Sequence, residues 1–294
     1  MTAPAPLASW STLLGDYPNT HALKTGAVGS SAVSLAFADV AVPNRSFKRV
    51  VRELDFDVAE LALMTFLMAR SRGVPLALLP VVLFARNPLA RVVCRAGTNQ
   101  IGPGDLEGRR VGVRSYTTTT AVWARALLAE ECGVDARRMR WLTCEDAHVP
   151  GVVDPAHAQR SSGAPDLLDL LRTGAIDAAI VEPVPTSPDV APVMADAEAV
   201  WQRWRARTGA LTANHVVVVR ESIAADADAM REFVRLFRES REDAGALVDH
   251  GSCPIGFEAM RRTLEVAIEV TAAEGLLARP LSLDELTTDF LRTL

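Results

Sequence analysis

Apolar residues along this chain fall into short runs of two kinds. Continuous apolar stretches at 76–84, 91–95 and 176–181, and the β-branched run at 216–219, have the length of buried strands. Shorter or alternating stretches at 7–14, 33–37, 56–61, 109–113 and 139–143 predict further strands. Helical spacing marks 47–53, 63–72, a segment from Ala121 on, 166–171, 195–207, 226–248 and 255–274. A short helix starts near Thr20–Leu23, and another follows Ser282. The segments 144–165 and 183–192, rich in proline, predict loops. Strands that alternate with helices imply an α/β fold built on parallel sheets.

The turn-rich segment 97–108 marks a domain boundary. The strand at 216–219 and the helices after it have no sheet of their own to cover. The economical arrangement is a chain that leaves domain one, builds domain two and returns. Domain one is then 1–94 plus 214–294, domain two is 95–213, and a ligand cleft is expected between them.

Composition narrows the partners. The 294 residues are 49% hydrophobic and 23% charged with a net charge of −5, which is a folded chain with no basic block. Nucleic acid and anionic membrane surfaces are therefore not expected partners. No stretch approaches the roughly 18 apolar residues of a membrane span. The opening residues carry neither a basic segment nor an apolar one, so a cytoplasmic protein is expected. Cys94, Cys132, Cys144 and Cys253 are too scattered for a zinc motif and fit reduced thiols. Trp123, Trp201 and Trp204 fit a core, a cleft wall or a homo-oligomer contact.

The most suggestive stretch is a strand that runs into a helix through hydroxyls, Ser115-Tyr-Thr-Thr-Thr-Thr120. A helix start offers unpaired N–H groups and partial positive charge. Hydroxyls there cap the helix or, together with those N–H groups, bind a carboxylate or phosphate.

Several segments resemble the 4,5-dihydroxyphthalate decarboxylase family in order and spacing. They include Phe47-Lys-Arg, Phe56-Asp-Val-Ala-Glu60, Asp105-Leu-Glu-Gly-Arg-Arg-Val-Gly-Val113, Tyr116-Thr-Thr-Thr-Thr-Ala-Val-Trp123, His215-Val-Val-Val and Gly256-Phe-Glu-Ala-Met-Arg-Arg-Thr-Leu264. The resemblance spans nearly the whole chain and implies a two-domain type II periplasmic-binding-protein-like fold used as an enzyme. The chain also departs from the family. Where members carry Arg-x-Phe-Arg-His, residues 84–91 read Phe-Ala-Arg-Asn-Pro-Leu-Ala-Arg, with Leu89 near the histidine's place. Met260 replaces an asparagine and Ala62 a serine.

Ligands of open α/β sheets sit beyond the carboxyl ends of strands. Those ends give Asp16, Tyr17, Glu60, Arg86 and Asn87 from the first block, and Tyr116, Thr118, Thr119, Thr120 and Glu182 from the second. The returning segment adds Asn214 and His215. His215 is the candidate general acid, because an unperturbed imidazole titrates near ~6.5. Glu60 and Asp16 would orient a substrate hydroxyl or take its proton. The threonines would hold one carboxylate and Arg86 a second. His148 and His157 lie in the 144–165 loop, where solvent or a lid is expected, and make no metal set.

The resemblance implies a cofactor-independent decarboxylase of a small aromatic or conjugated acid, suited to specialised metabolism. The alternatives are another lyase or ring-forming enzyme on a small carboxylate, and a non-enzymatic small-anion binding protein.

Overall fold

The structure is a computed structural model that describes residues 8–98, 100–163 and 165–294. Residues 1–7, on which the secretion reading rests, lie outside it. The chain divides into two compact units. One holds the residues up to Ala85 and from Ala213 onward, and the other is Arg86–Thr212.

The first unit opens with β1 (Ala8–Leu13), α1 (Pro18–Thr25), β2 (Val33–Phe37), α2 (Phe47–Arg52), β3 (Val58–Ala62), α3 (Leu63–Ser71) and β4 (Leu76–Ala85). The second unit holds β5 (Val92–Arg95), β6 (Arg110–Val113), α4 (Thr119–Cys132), β7 (Arg140–Thr143), β8 (Ala158–Arg160), α5 (Leu167–Thr173), β9 (Ala178–Ile180), β10 (Val190–Pro192) and α6 (Ala197–Thr208). The chain then completes the first unit with β11 (Ala213–Arg220), α7 (Glu221–Ala224), α8 (Ala227–Asp243) and α9 (Phe257–Ala273).

Each unit has one sheet. The order is β2-β1-β3-β11-β4 in the first and β10-β5-β9-β6-β7-β8 in the second. The expectation of parallel sheets holds for only part of each sheet. β1 is parallel to β2 and β3, but β11 runs antiparallel to both β3 and β4. Likewise β5 is antiparallel to β9 and β10, while β9, β6, β7 and β8 are parallel. The physical reason is the connection. A helical crossover imposes parallel pairing, whereas β5 and β11 enter their sheets from the other unit and carry no such constraint.

Two expected loops also end in structure. The 144–165 segment contains β8, which adds an edge to β7, and 183–192 ends in the edge strand β10. Pro192 is tolerated there because an edge residue can spare its N–H. The helix expected from Ala121 starts two residues earlier, with Thr118 as N-cap. The 226–248 helix stops at Asp243, and the turn after Ser282 is 3-10 rather than α.

Packing follows the apolar periodicity. On α8, Met230, Phe233, Val234 and Phe237 repeat at helical spacing and are buried against β4 and β11 residues such as Leu79 and Val217. Asp226 caps this helix by accepting from the Ala229 N–H at 3.0 Å. The second unit packs Val93, Leu171, Ile176, Ala179 and Val181 together. Of the places open to the three tryptophans, the structure selects the core. Trp123, Trp201 and Trp204 are all buried, with Trp123 and Trp204 in edge contact at 6.0 Å. No described helix is long and apolar enough to cross a membrane.

Phe233 is fully buried and meets the Trp10 ring edge-on at 5.9 Å. Phe233→Ala is expected to cost about 3–5 kcal/mol of stability, read from urea unfolding. A loss under about 1 kcal/mol would show that α8 is not seated on the sheet in this way.

Candidate functional site

The first unit buries one carboxylate completely. Glu60 lies in β3, a strand buried at every position, and its side chain is 0% exposed. A charge taken that far from water needs donors. Glu60 accepts from the Gly15 N–H at 2.8 Å, the Tyr17 hydroxyl at 2.6 Å and the His215 ring Nδ1 at 2.5 Å. Sheet register explains the last contact. Glu60 stands opposite Val217 and Ala62 opposite His215, so Glu60 and His215 point to the same face two positions apart. On its other side β11 slips register against β4 three times between Ala213 and Val217. Such irregularities re-aim side chains beside sites.

His215 is held by packing as well. Its ring meets Phe84 at 4.5 Å and Phe47 at 5.2 Å between centroids, and its side chain is 13% exposed. Because an ionised carboxylate only accepts, Nδ1 is the donor to Glu60. That leaves Nε2 as the atom able to give or take a proton. Tyr17 is locked by the same carboxylate and by edge contact with Phe84 at 5.2 Å. Gly15 is glycine for a steric reason: a Cβ there would sit 2.5 Å from the Tyr17 ring.

Burial alone would raise the Glu60 pKa. The hydrogen bond and charge of His215, then Tyr17 and the Gly15 N–H, outweigh it and hold the carboxyl below its usual range.

The second unit gathers a different set. Glu182, just after β9, pairs with Arg86, lies 3.7 Å from the Arg91 Nε, and accepts from the Thr120 hydroxyl at 3.4 Å. Thr120 is in the first turn of α4, as are Thr119 and the N-cap Thr118. Thr119 and Thr120 are buried, while Thr118 is half-buried and makes no side-chain cap bond.

Other residues named from the sequence sit elsewhere. Asp16 is exposed and pairs with exposed His21 at 3.0 Å, apart from the Glu60 group. Asn87 is committed to its own loop and to α6: Oδ1 accepts from the Leu89 and Ala90 N–H groups, and Nδ2 donates to the Ala197 carbonyl. Tyr116 is buried, with the Arg125 guanidinium 3.8 Å over its ring and its hydroxyl 3.1 Å from His157 Nε2. His157 is therefore half-buried against Tyr116 rather than solvated. Asn214 is buried in β11 beside His215. Among the described residues no group of three or more His, Cys, Asp or Glu could hold a metal ion.

Several contributors escape a reading by residue type. Gly15 acts through its backbone, Phe47 and Phe84 through ring faces, and Arg91 through a partner 91 positions away. Only Gly15, beside Asp16-Tyr17, carries a local signal, and it resembles an ordinary turn glycine.

Solved structures define the class. The fold is that of the periplasmic binding proteins. The alkanesulfonate-binding protein SsuA of Xanthomonas axonopodis pv. citri, bound to MOPS, superposes with a TM-score of 0.59 at 13% identity, covering 97% of this chain and 99% of that one. The periplasmic aliphatic sulphonate binding protein SsuA of Escherichia coli gives 0.58 at 11% identity, covering 98% and 99%. In sequence the chain is a divergent relative of 4,5-dihydroxyphthalate decarboxylases. It is 28% identical over 233 residues to the protein of that name from Comamonas testosteroni, spanning 73% of this chain and 68% of the relative. It is 29% identical over 133 residues to the one from Pseudomonas putida, spanning 45% of this chain and about half, 51%, of that relative. No family model matches the chain.

The depressed pKa of Glu60 makes a stability prediction. The folded value lies below the unfolded one, so its contribution is present above about pH 4.3 and is lost as pH falls through the folded value. The thermal midpoint is expected to fall between about pH 5 and about pH 3, and to fall less in Glu60→Gln, because one of the native carboxylates that must protonate is gone. Equal acid sensitivity of the two proteins would count against the contact.

Proposed function

We propose that this protein is a decarboxylase of a small hydroxylated aromatic acid, with His215 as the proton donor. The observation that carries the reading is the Glu60 carboxylate, which fixes Nδ1 of His215 and leaves Nε2 to do chemistry. The decarboxylase relatives supply the reaction class.

The chemistry runs in two steps. A ring hydroxyl ortho or para to the carboxylate pushes electron density onto the carboxyl-bearing carbon. Nε2–H of protonated His215 gives its proton to that carbon, and aromaticity is lost for the moment. The bond to the carboxylate then breaks, its electron pair restores the ring, and CO2 departs. His215 recovers a proton from solvent, so the sum is one carboxylate and one proton converted to arene and CO2. Glu60 stabilises the imidazolium that donates, and the Tyr17 hydroxyl holds Glu60 in place. Phe47 and Phe84 limit access of water to the imidazole. No added cofactor takes part in this scheme.

A second reading, a small-anion binding protein, draws on the arginine pair around Glu182 and on the fold shared with sulphonate-binding proteins.

The test is CO2 release from purified protein offered hydroxybenzoates, dihydroxybenzoates and 4,5-dihydroxyphthalate. His215→Gln is expected to lower the rate about 10²- to 10⁴-fold, and product formed in D2O is expected to carry deuterium at the former carboxyl carbon. An undiminished rate in His215→Gln would refute the assignment. A ligand recovered unchanged from every incubation would favour the binding protein.

A further inference from the structure

The second unit holds a carboxylate of its own where arginines would hold a ligand's. Glu182 is met by side chains from two other segments: Arg86 and Arg91 at the two ends of the β4–β5 connection, and Thr120 in the first turn of α4. Two guanidiniums and a hydroxyl around one carboxylate are the donor set by which proteins recognise a small carboxylate ligand. The cluster is partly open to solvent, with Glu182 36%, Arg91 30% and Arg86 24% exposed, although the Arg91 Nε that faces Glu182 is buried. A pair so exposed adds little to stability. Glu182 can therefore leave it at small cost.

We propose that Glu182 is a resident competitor, an internal carboxylate that the carboxylate of an arriving substrate displaces from Arg86 and Arg91. The proposal rests on the reading of the substrate as a small carboxylic acid. The exchange swaps one carboxylate for another, so no bond or proton moves. Its effect is selectivity. While Glu182 is in place, a neutral molecule has nothing to offer the arginines that they lack. A ligand of higher negative charge outcompetes the single charge of the glutamate.

Calorimetric titration of the whole protein with phthalate dianion tests this. Glu182→Gln keeps the size of the side chain and removes the competing charge. It is expected to bind phthalate about two- to fivefold more tightly than the wild type, the range for a partly screened pair. Adding Arg91→Ala to Glu182→Gln is expected to abolish the gain. A glutamate that merely props the arginines would instead give weaker binding when replaced. That weakening, an unchanged affinity, or no phthalate binding by either protein overturns the proposal. Because the readout is heat of binding, failure to release CO2 would strike the decarboxylase reading and leave this one standing.

Discussion

The first unit is organised by the need to keep one charge out of water. A carboxylate with no exposure survives only with enough donors around it. Glu60 takes one from the backbone, one from a phenol and one from an imidazole. Each donor restricts another part of the chain. The Gly15 N–H requires a residue without a side chain beside the Tyr17 ring, and the imidazole requires β11 next to β3 in a defined register. The same contacts that make the charge tolerable fix the tautomer and direction of His215. Tolerance of the buried charge and orientation of the imidazole are here one arrangement.

The second unit handles charge in the opposite way. Its carboxylate, Glu182, is partly open and is met by guanidiniums rather than backbone. A rigid buried acid suits a group that must stay fixed while protons move. An exposed one in reach of two arginines suits a group that can be exchanged. Tyr116, just before α4, and Arg125, within it, are both buried and stack on each other, and Arg125 Nη1 donates to the Tyr116 carbonyl at 2.9 Å.

Much of the architecture was legible in the sequence because apolar runs and helical periodicity are local signals. The strand at 76–84, the strand at 216–219 and the helix at 63–72 lie within a few residues of β4, β11 and α3. Strand direction was not legible, since it depends on how a strand is connected and not on its own residues. Glu60 and His215 could be named from the ends of strands, yet their contact is a product of register between segments 155 positions apart. Asp16 was named by the same rule and points to solvent, because neighbours in sequence need not share a face. Arg91 had no signal at all, being one arginine among many until its distant partner is in place.

The position of β11 also bears on how the molecule is made. It is an inner strand of the first sheet, between β3 and β4, yet it is synthesised only after the whole of Arg86–Thr212. Until the ribosome has passed Arg220, β3 and β4 lack the neighbour that joins them. The intervening unit is continuous in sequence and faces no such wait. It can become compact first, while the earlier half depends on late-arriving residues and on protection from aggregation in the meantime.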